Sequence, residues 1–588
     1  MIFIIKKLLK KVLPAFLINT YHLILTFFGA AFFGFPSRDL KVIGVTGTNG
    51  KSTTVEFITK ILEEAGFRVA SISSIKFKIG KKEWPNLLKM TMPEGFLIQK
   101  FLRKAKKEKC DYMVLEVTSQ GIIQHRHRFI KFDVALITNL LPEHIEAHKG
   151  FENYKKAKGK LFEVTKNIHI VNLDDKNAEY FLQFPAKKKY GFGLETSRKN
   201  EEEKTSDKVD EVVKAESLVE SQDGVSFFLK GSKIHLKLLG KFNVYNALAA
   251  IACALSQGID METCKKGLEK INNIPGRMEI VVEDPFWVII DYAVVPESLE
   301  EVYREIQTLF SPNRMICVFG ACGGGRDRQK RPKLGRIASR YCQEIILTNE
   351  DPYDEDPEKI LQEIEEGIED KTKVTKILDR RKAIREALKR AKEKDVIVLT
   401  GKGCEPWICL AQGKKIPWDE RKVVKEELQR VRENQEPRAK SQERTKNQKP
   451  RTEKEKFFEV LPHKADLKLK VFGSSKKELF LNTMRAMFEV AGVQAANQIT
   501  KREIKIQSPE ITQLLVDFLS EVLYLSEVNN EMYFDLRFYH FNDTSLEGEL
   551  IGKKILKKDM VIKGVTYHDL EIKQKGENDF EATILFDV

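Results

Sequence analysis

Cysteine is scarce and unpaired in this chain: eight residues in 588, at positions 110, 253, 264, 317, 322, 342, 404 and 409, with no CxxC among them. That spacing excludes a zinc ribbon and fits a reducing cytosol better than a disulfide-stapled fold. No small-residue cleavage site follows the apolar N-terminal stretch, which argues against export. Repeats of solenoid length are also missing. Acidic residues fall short of basic ones, 86 against 100, leaving a net charge of +14. Most of that excess sits in the N-terminal lysines, in Lys187, Lys188 and Lys189, and in residues 431–456. Anionic substrates and nucleotides account for the remainder at least as well as RNA does.

What is present is a phosphate site. Residues 41–54, KVIGVTGTNGKSTT, run an apolar strand into a glycine-rich turn bearing a lysine and hydroxyls. Glycines at 47 and 50 let backbone N–H groups close around phosphates, Lys51 adds positive charge, and Ser52 or Thr53 can hold Mg2+ where a helix begins. The strict Walker spacing fails, because Val45 stands at its first glycine.

A length of 588 residues supports three to four domains. Apolar runs at 111–119, 133–140 and 167–175, joined by helical stretches, predict a mostly parallel sheet covered on both faces. The charged insert at 196–222 reads as a solvated loop or hairpin rather than core. A second α/β unit begins near 275, with strands in WVIIDYA, RMICVFGA, EIILTNE and DVIVLTGKG. Residues 431–456 are almost devoid of apolar side chains and read as a flexible charged linker. A compact α+β module follows over 457–588.

Residues 12–35 form an uncharged run of 24, long enough to span a bilayer and preceded by Lys6, Lys7, Lys10 and Lys11. A nucleotide site starting at residue 44 must face the cytosol, so a single span would place those lysines outside, against the positive-inside tendency. Asn19, Tyr21 and His22 also interrupt the apolar surface. The expectation for 1–36 is therefore a helix lying in the inner membrane face, or packed on the body, rather than a crossing.

GVTGTNGKSTT, EVTSQGIIQHR, TNLLPEHIEAH, YKKAKGKLF, GKFNVYNALAA, PGRME, DYAVVPESL, FGACGGGRDRQKRP and GKGCE follow in the order and spacing of the Mur ligase superfamily. Residues 37–430 resemble its UDP-N-acetylmuramoyl-tripeptide synthetase branch most. The resemblance implies a central P-loop-type parallel-sheet domain (37–274) and a Rossmann-like C-terminal ligase domain (275–430). It also implies ATP-driven amide-bond formation: a carboxylate attacks the γ-phosphate, and an amino acid's amine then displaces phosphate from the acyl phosphate. Such chemistry needs metal, positive charge and close positioning of two substrates.

Carried over residue by residue, the resemblance places ATP at Gly47, Thr48, Asn49, Gly50, Lys51, Ser52 and Thr53, and at Asn243, Asn246, Arg277 and Asp291. Mg2+ falls to Ser52, Glu116 and His144, and to Lys158 if carbamylated; Lys51, Lys158, His144 and Glu116 form the catalytic set. Glu143 stands where the family has aspartate. Lys330 and Arg331 are expected near phosphates. Thr91, Thr118, Gln124 and Arg126 match the muramoyl-peptide contacts, with Thr118 in place of serine and Gln120 in place of histidine. Asp351, Tyr353, Gly401 and Glu405 fall in the amino-acid pocket. Diaminopimelate-adding enzymes carry DNPR where this chain has EDPY, and their arginine grips the distal carboxylate bidentately. Tyr353 cannot do so, which leaves lysine, another diamine or an unusual amino acid at least as plausible. The family's uridine-binding domain has no room before residue 41, which points to altered holding of the nucleotide sugar or to a lipid-linked acceptor.

LPHKADLKLKVFG, ELFLNTMRAMFEV, ITQLLVDFLSEVLYL, VIKGVTYHDLEI and ATILFDV make residues 457–588 resemble archease, a small activator of the RNA ligase of tRNA splicing. That resemblance implies Ca2+ or another divalent cation on Asp466, Asp587 and the Val588 terminus, a required Lys563, and His463 and His568 nearby. Carboxylates suit such a hard cation. An RNA ligase protein is the implied partner. Direct nucleic-acid binding is not expected, since no aromatic-basic platform is visible.

The sequence thus reads as a cytoplasmic ligase, with association at the inner membrane face an expectation, fused to an archease-like module. Two other readings stay open: a superfamily ligase acting on folate, or a membrane-associated adaptor whose Mur-like part binds ATP without ligating.

Overall fold

A computed structural model describes residues 15–88, 90–143, 145–194, 207–326, 328–435, 457–461, 467–558, 560, 562–576 and 579–587. The chain divides into two compact units, Met1–Pro437 and Arg438–Val588.

In the first unit the strands Lys41–Thr46 (β1), Val69–Ile72 (β2), Lys76–Ile79 (β3), Lys82–Pro85 (β4), Tyr112–Glu116 (β5) and Val134–Ile137 (β6) are followed by Ile168–Asn172 (β7), Lys188–Leu194 (β8), Glu211–Ser221 (β9), Gly224–Leu229 (β10) and Ser232–Leu236 (β11). Among the described residues they form one sheet in the order β11-β10-β9-β8-β7-β6-β1-β5-β2-β3-β4. β1 pairs in parallel with both β5 and β6, so the chain reverses direction across the sheet beside it. Such a switch point opens a crevice at the strands' carboxyl ends, where ligands bind in open α/β sheets. The strand interiors are buried on both faces, Ile43, Val45, Val114, Leu136 and Ile170 on one and Val42, Met113, Leu115, Ala135 and Val171 on the other, as their unbroken hydrophobic runs require. Helix Lys51–Glu64 covers one face with Val55, Ile58, Ile61 and Leu62, each worth about 1.5–3 kcal/mol when fully buried.

A second sheet follows: Glu279–Val282 (β12), Trp287–Ile290 (β13), Met315–Phe319 (β14), Glu344–Leu347 (β15), Val374–Lys376 (β16) and Val396–Leu399 (β17), ordered β12-β13-β17-β14-β15-β16. All its pairs are parallel except β12–β13.

Two expectations need correction. Of the insert at 196–222, residues 195–206 lie outside the described ones, but β9 is no solvated loop: it extends the large sheet and buries Val213 and Ala215 in its core. The anticipated linker begins later than expected, because helix Glu420–Gln435 continues through residues 431–435 with Val431 buried.

β9 also carries Glu220 against Glu305, on helix Pro296–Phe310. Burial, then the neighbouring Glu220 carboxylate, push Glu305 from 4.5 up to about 7. The unfolded chain loses this proton near pH 4.5 while the folded chain keeps it to about 7. Stability therefore falls as pH rises through that window, and the penalty is complete above it. Glu305→Gln is expected to raise the melting midpoint at pH 8 and not at pH 4.5, by about 1–2 °C, measured in paired thermal melts.

Helix Ala15–Phe32 lies against helix Gly95–Lys107. A Cβ on Gly95 would come within 2.2 Å of Thr26 Oγ1, so the close approach requires glycine there. No helix among the described residues is long and apolar enough to cross a membrane.

In the second unit Phe458–Leu461, Leu467–Gly473, Asp579–Asp587 and Gly564–Gly576 make a four-stranded sheet in that order. Gln494–Gln507, Ser545–Lys557 and Glu531–Phe541 make a three-stranded one. Helices Lys476–Val490 and Ile511–Asn529 share the core with them; the latter buries Leu514, Leu515, Phe518, Leu519 and Val522, as its helical spacing predicts.

Candidate active site

The loop after β1 is held by side chains from the ends of neighbouring strands. Thr138 Oγ1 donates to the Asn49 carbonyl (2.6 Å), and Asn139 Oδ1 accepts from the Asn49 N–H (2.9 Å). Thr48 Oγ1 lies 3.1 Å from the Tyr154 hydroxyl and accepts from the Leu141 N–H. Gly50 has φ +79°, and a Cβ there would sit 2.1 Å from Asn246 Oδ1. Only glycine lets the loop approach the asparagine helix Phe242–Ser256 this closely. Asn246 donates to Asn243 Oδ1 (3.1 Å), and Asn243 to the Leu239 carbonyl (2.8 Å).

Two lysines meet this loop. Lys51 Nζ donates to the Thr48 carbonyl and Lys158 Nζ to the Gly47 carbonyl, both at 2.6 Å. Lys158 is fully buried from helix Phe151–Val164, with its ammonium 4.6 Å from the Tyr154 ring centre. Burial first, then the like charge of Lys51, hold its pKa well below that of an ordinary lysine. Glu116, at the end of β5, accepts from Ser52 Oγ (2.8 Å) and from the Ser74 N–H (2.8 Å). Hard oxygens converging beside a phosphate cradle are the donor set that Mg2+ takes. His144 lies outside the described residues. His148, one helical turn on, is buried with Nε2 3.1 Å from Ser119 Oγ.

The residues expected from the sequence to contact the acceptor gather next to it. Thr118 caps the short helix Ser119–Ile123 by accepting from the Gly121 N–H. Arg126 donates to the Met92 carbonyl and to Gln124 Oε1, which joins the loop carrying Thr91 to the QHR segment. Its Nε is buried without a partner, and no ion pair holds the guanidinium among the described residues.

A second cluster forms at the carboxyl ends of β14, β15 and β17. Lys402 is fully buried and bridges Asp351 (3.0 Å) and Glu405 (2.7 Å). The Cys322 thiol donates to Glu350 Oε1 (2.9 Å), and burial raises both groups' pKa values. Tyr353, at φ +52°, lies 5.6 Å beneath the Arg326 guanidinium. Tyr292 donates to Glu405 Oε1 (3.3 Å) and stacks under Arg277 at 4.6 Å. Asp291 accepts from the N–H groups of Met278 (2.8 Å) and Ala293 (2.7 Å), so it shapes the turn that carries Tyr292. Gly401 has φ +99° and lies against Glu350.

Comparison with known proteins accords with this geometry. Residues 45–254 match the family described as Mur ligase middle domain, and 276–403 match Mur ligase, glutamate ligase domain. The UDP-N-acetylmuramoyl-L-alanyl-D-glutamate--2,6-diaminopimelate ligase of Syntrophomonas wolfei is 38% identical over 415 residues, covering 69% of this chain and 81% of that protein. The chain belongs to the Mur ligase family. The Aquifex aeolicus protein bearing the same name is 38% identical over 398 residues, covering 68% of this chain and 79% of its own. MurF from Acinetobacter baumannii shares the fold, with TM-score 0.50 at 20% identity over 65% of this chain and 77% of that chain. Residues 458–588 match the Archease protein family. This Mur ligase is thus an ATP-dependent ligase with an archease domain at its C-terminus, and its family uses ATP with Mg2+.

The structure differs from the sequence reading at Arg331. That side chain is fully buried and paired with Glu355 (2.7 Å) and Glu363 (2.6 Å), so it anchors a helix instead of reaching a phosphate. Lys330 Nζ donates to the Val294 carbonyl (2.8 Å). Residues that sequence reasoning passed over include Thr138, Asn139, Tyr154, Arg326 and Lys402. Each lies within or near a motif already noticed for a different residue: TNLL for its histidine, GGGRDRQKRP for its last basic pair, GKGCE for its glutamate. In the archease domain, Asp466, His463 and Val588 lie outside the described residues, as does the side chain of His568. Lys563 donates its backbone N–H to the Asp587 carbonyl (2.7 Å), which sets the two side by side at a strand end.

Proposed function

We propose that this Mur ligase adds a diamino acid lacking a distal carboxylate, lysine in the first place, to a UDP-N-acetylmuramoyl-peptide. The convergence of Lys51, Lys158 and the Ser52–Glu116 pair at the carboxyl ends of β1 and β5 supports the ligase chemistry. The acceptor carboxylate attacks the γ-phosphorus, ADP leaves, and the incoming amine opens the acyl phosphate, releasing phosphate and a proton. Lys51 neutralises charge on the transferring group. Arg126, whose buried Nε has no hydrogen-bond partner among the described residues, suits an acceptor carboxylate. Burial of Lys158 disfavours its ammonium form and so favours the neutral amine, the form that reacts with CO2 to give a carbamate. Ser52, Glu116, His144 and that carbamate would hold Mg2+, which supplies Lewis-acid stabilisation of phosphoryl oxygens.

The choice of amino acid rests on the second cluster. Every amino acid brings an α-carboxylate, and Arg326 is the guanidinium facing the pocket. With tyrosine at 353, the position of the second carboxylate clamp is filled by a neutral ring. Glu350, Asp351 and Glu405 outnumber Lys402 among the neighbouring charges, which favours a distal ammonium.

The test is ADP release by the full chain with ATP, Mg2+, UDP-muramoyl-dipeptide and an amino-acid panel. Release needing both acceptor and lysine is expected. Preference for diaminopimelate, as the names of the relatives have it, would overturn the amino-acid assignment; silence with every pair while ATP still binds would overturn the soluble acceptor.

We further propose that the archease domain binds a divalent cation through Asp587, with Asp466 and Val588, and acts on an RNA ligase protein. Asp587 is exposed at its strand end, and a carboxylate there suits Ca2+. Asp587→Ala is expected to weaken Ca2+ binding by about tenfold or more in calorimetry while leaving ADP release unchanged. Equal Ca2+ affinity in both proteins would remove Asp587 from the site.

A further inference from the structure

Helix Ala15–Phe32 presents its large apolar side chains to solvent and its small residues to the protein. Thr26, Gly29 and Ala30 are buried, and a Cβ on Gly29 would sit 3.0 Å from the Phe96 backbone. Leu17, Tyr21, Ile24, Phe28 and Phe32 point away, with Phe28 62% and Phe32 77% exposed. At about 100° per residue these five positions share an arc of roughly 80°, and the stripe runs about 22 Å along the axis. The helix contains no charged residue.

The stripe continues through Phe33, just past the helix end, onto helix Gly95–Lys107, and Phe33, Leu97 and Phe101 form the apolar floor of a shallow groove. Lys100, Arg103, Lys104 and Lys107 complete its lining, and none of the lining residues is acidic. In sequence, Lys6, Lys7, Lys10 and Lys11 precede the helix. Contiguous exposed apolar surface marks an interaction site on a soluble domain. Here it is bordered by one sign of charge, the pattern of a helix lying in a lipid headgroup layer.

We propose that this face docks on an anionic lipid bilayer, with the helix in the plane of the interface and its apolar arc in the acyl boundary. A second copy of the chain would oppose the same basic rim to itself, which disfavours an isologous dimer. A stripe that runs the helix's whole length, rather than a local pit, matches a flat occupant. The proposal is independent of which amino acid or acceptor the ligase uses.

The experiment is co-sedimentation of the full chain with vesicles of equimolar phosphatidylcholine and phosphatidylglycerol, and with phosphatidylcholine alone. Wild type is expected to sediment with the anionic vesicles, and less so as salt is raised. Ile24→Ser/Phe28→Ser/Phe32→Ser and, separately, Lys100→Glu/Arg103→Glu are each expected to weaken binding about tenfold or more. All five positions are at the surface or groove rim, and thermal melts check that both variants stay folded. Failure of wild type to sediment at low salt, or a triple variant that binds like wild type, would overturn the proposal. So would a wild-type dimer in sedimentation velocity that the triple variant abolishes, which would assign the face to a second copy.

Discussion

Lys158→Met is expected to lower the turnover rate of ADP release by about a thousandfold while leaving the melting midpoint unchanged or higher. The two halves of that result have separate causes. Methionine nearly matches lysine's length and removes a buried amine that has no carboxylate within ion-pairing distance among the described residues. Replacing buried ionic groups with apolar ones of similar volume is often neutral or stabilising. The lost turnover follows from removing the amine at the loop proposed to hold the phosphates. Deleting one group that stabilises developing charge costs about 10²–10³ in rate, and a carbamate there would add a metal ligand to that loss. Parallel ADP-release kinetics and melts read both halves. A variant that melted far lower and lost activity in proportion would make Lys158 a structural residue.

Tyr353→Arg is expected to shift the ratio of kcat/KM for diaminopimelate over lysine by about a hundredfold toward diaminopimelate. A charge-assisted bidentate bond contributes about 1.5–3 kcal/mol net, which corresponds to roughly 10–150-fold. Tyr353 already has φ +52°, and arginine meets the same backbone cost there as tyrosine. Tyr353→Phe supplies the control: it keeps the ring under Arg326 and should leave the ratio within about twofold. An unchanged ratio in the arginine variant would show that position 353 does not read the distal end of the amino acid.

Much of this enzyme was legible in the sequence because its chemistry sits at strand ends. Apolar runs fixed β1, β5, β6 and β7, and Lys51, Ser52, Glu116 and Lys158 each followed from a motif with its own spacing. Position relative to other elements was harder to read. Arg331 resembled a phosphate ligand in one dimension, and only the turn and helix beyond β15 supply Glu355 and Glu363 to neutralise it. Thr138 and Asn139 escaped because their role is to shape a backbone 90 residues away. A hairpin was among the readings of the insert, but its place in the core was hidden by its charged flanks: alternation buries Val213 and Ala215 while Lys214 and Glu216 face outward or partly so. Lys402 drew no notice because a lysine between glycines looks solvated, yet two carboxylates from different loops close over it.

The Glu220–Glu305 contact has a further consequence. Glu220 belongs to the large nucleotide-binding sheet, whereas Glu305 lies on the helix that follows β13 of the second sheet. Gln222, two residues along, donates to the Leu309 carbonyl on that same helix (3.0 Å), and Asn49 of the phosphate loop donates to Ser298 at its start (2.7 Å). Among the contacts between the two lobes are thus neutral hydrogen bonds of about 1 kcal/mol each and a carboxyl–carboxylate contact that needs Glu305 protonated. Losing that proton leaves two like charges pressing the lobes apart. Alkaline conditions are therefore expected to weaken this one contact between the lobes, and acid to preserve it.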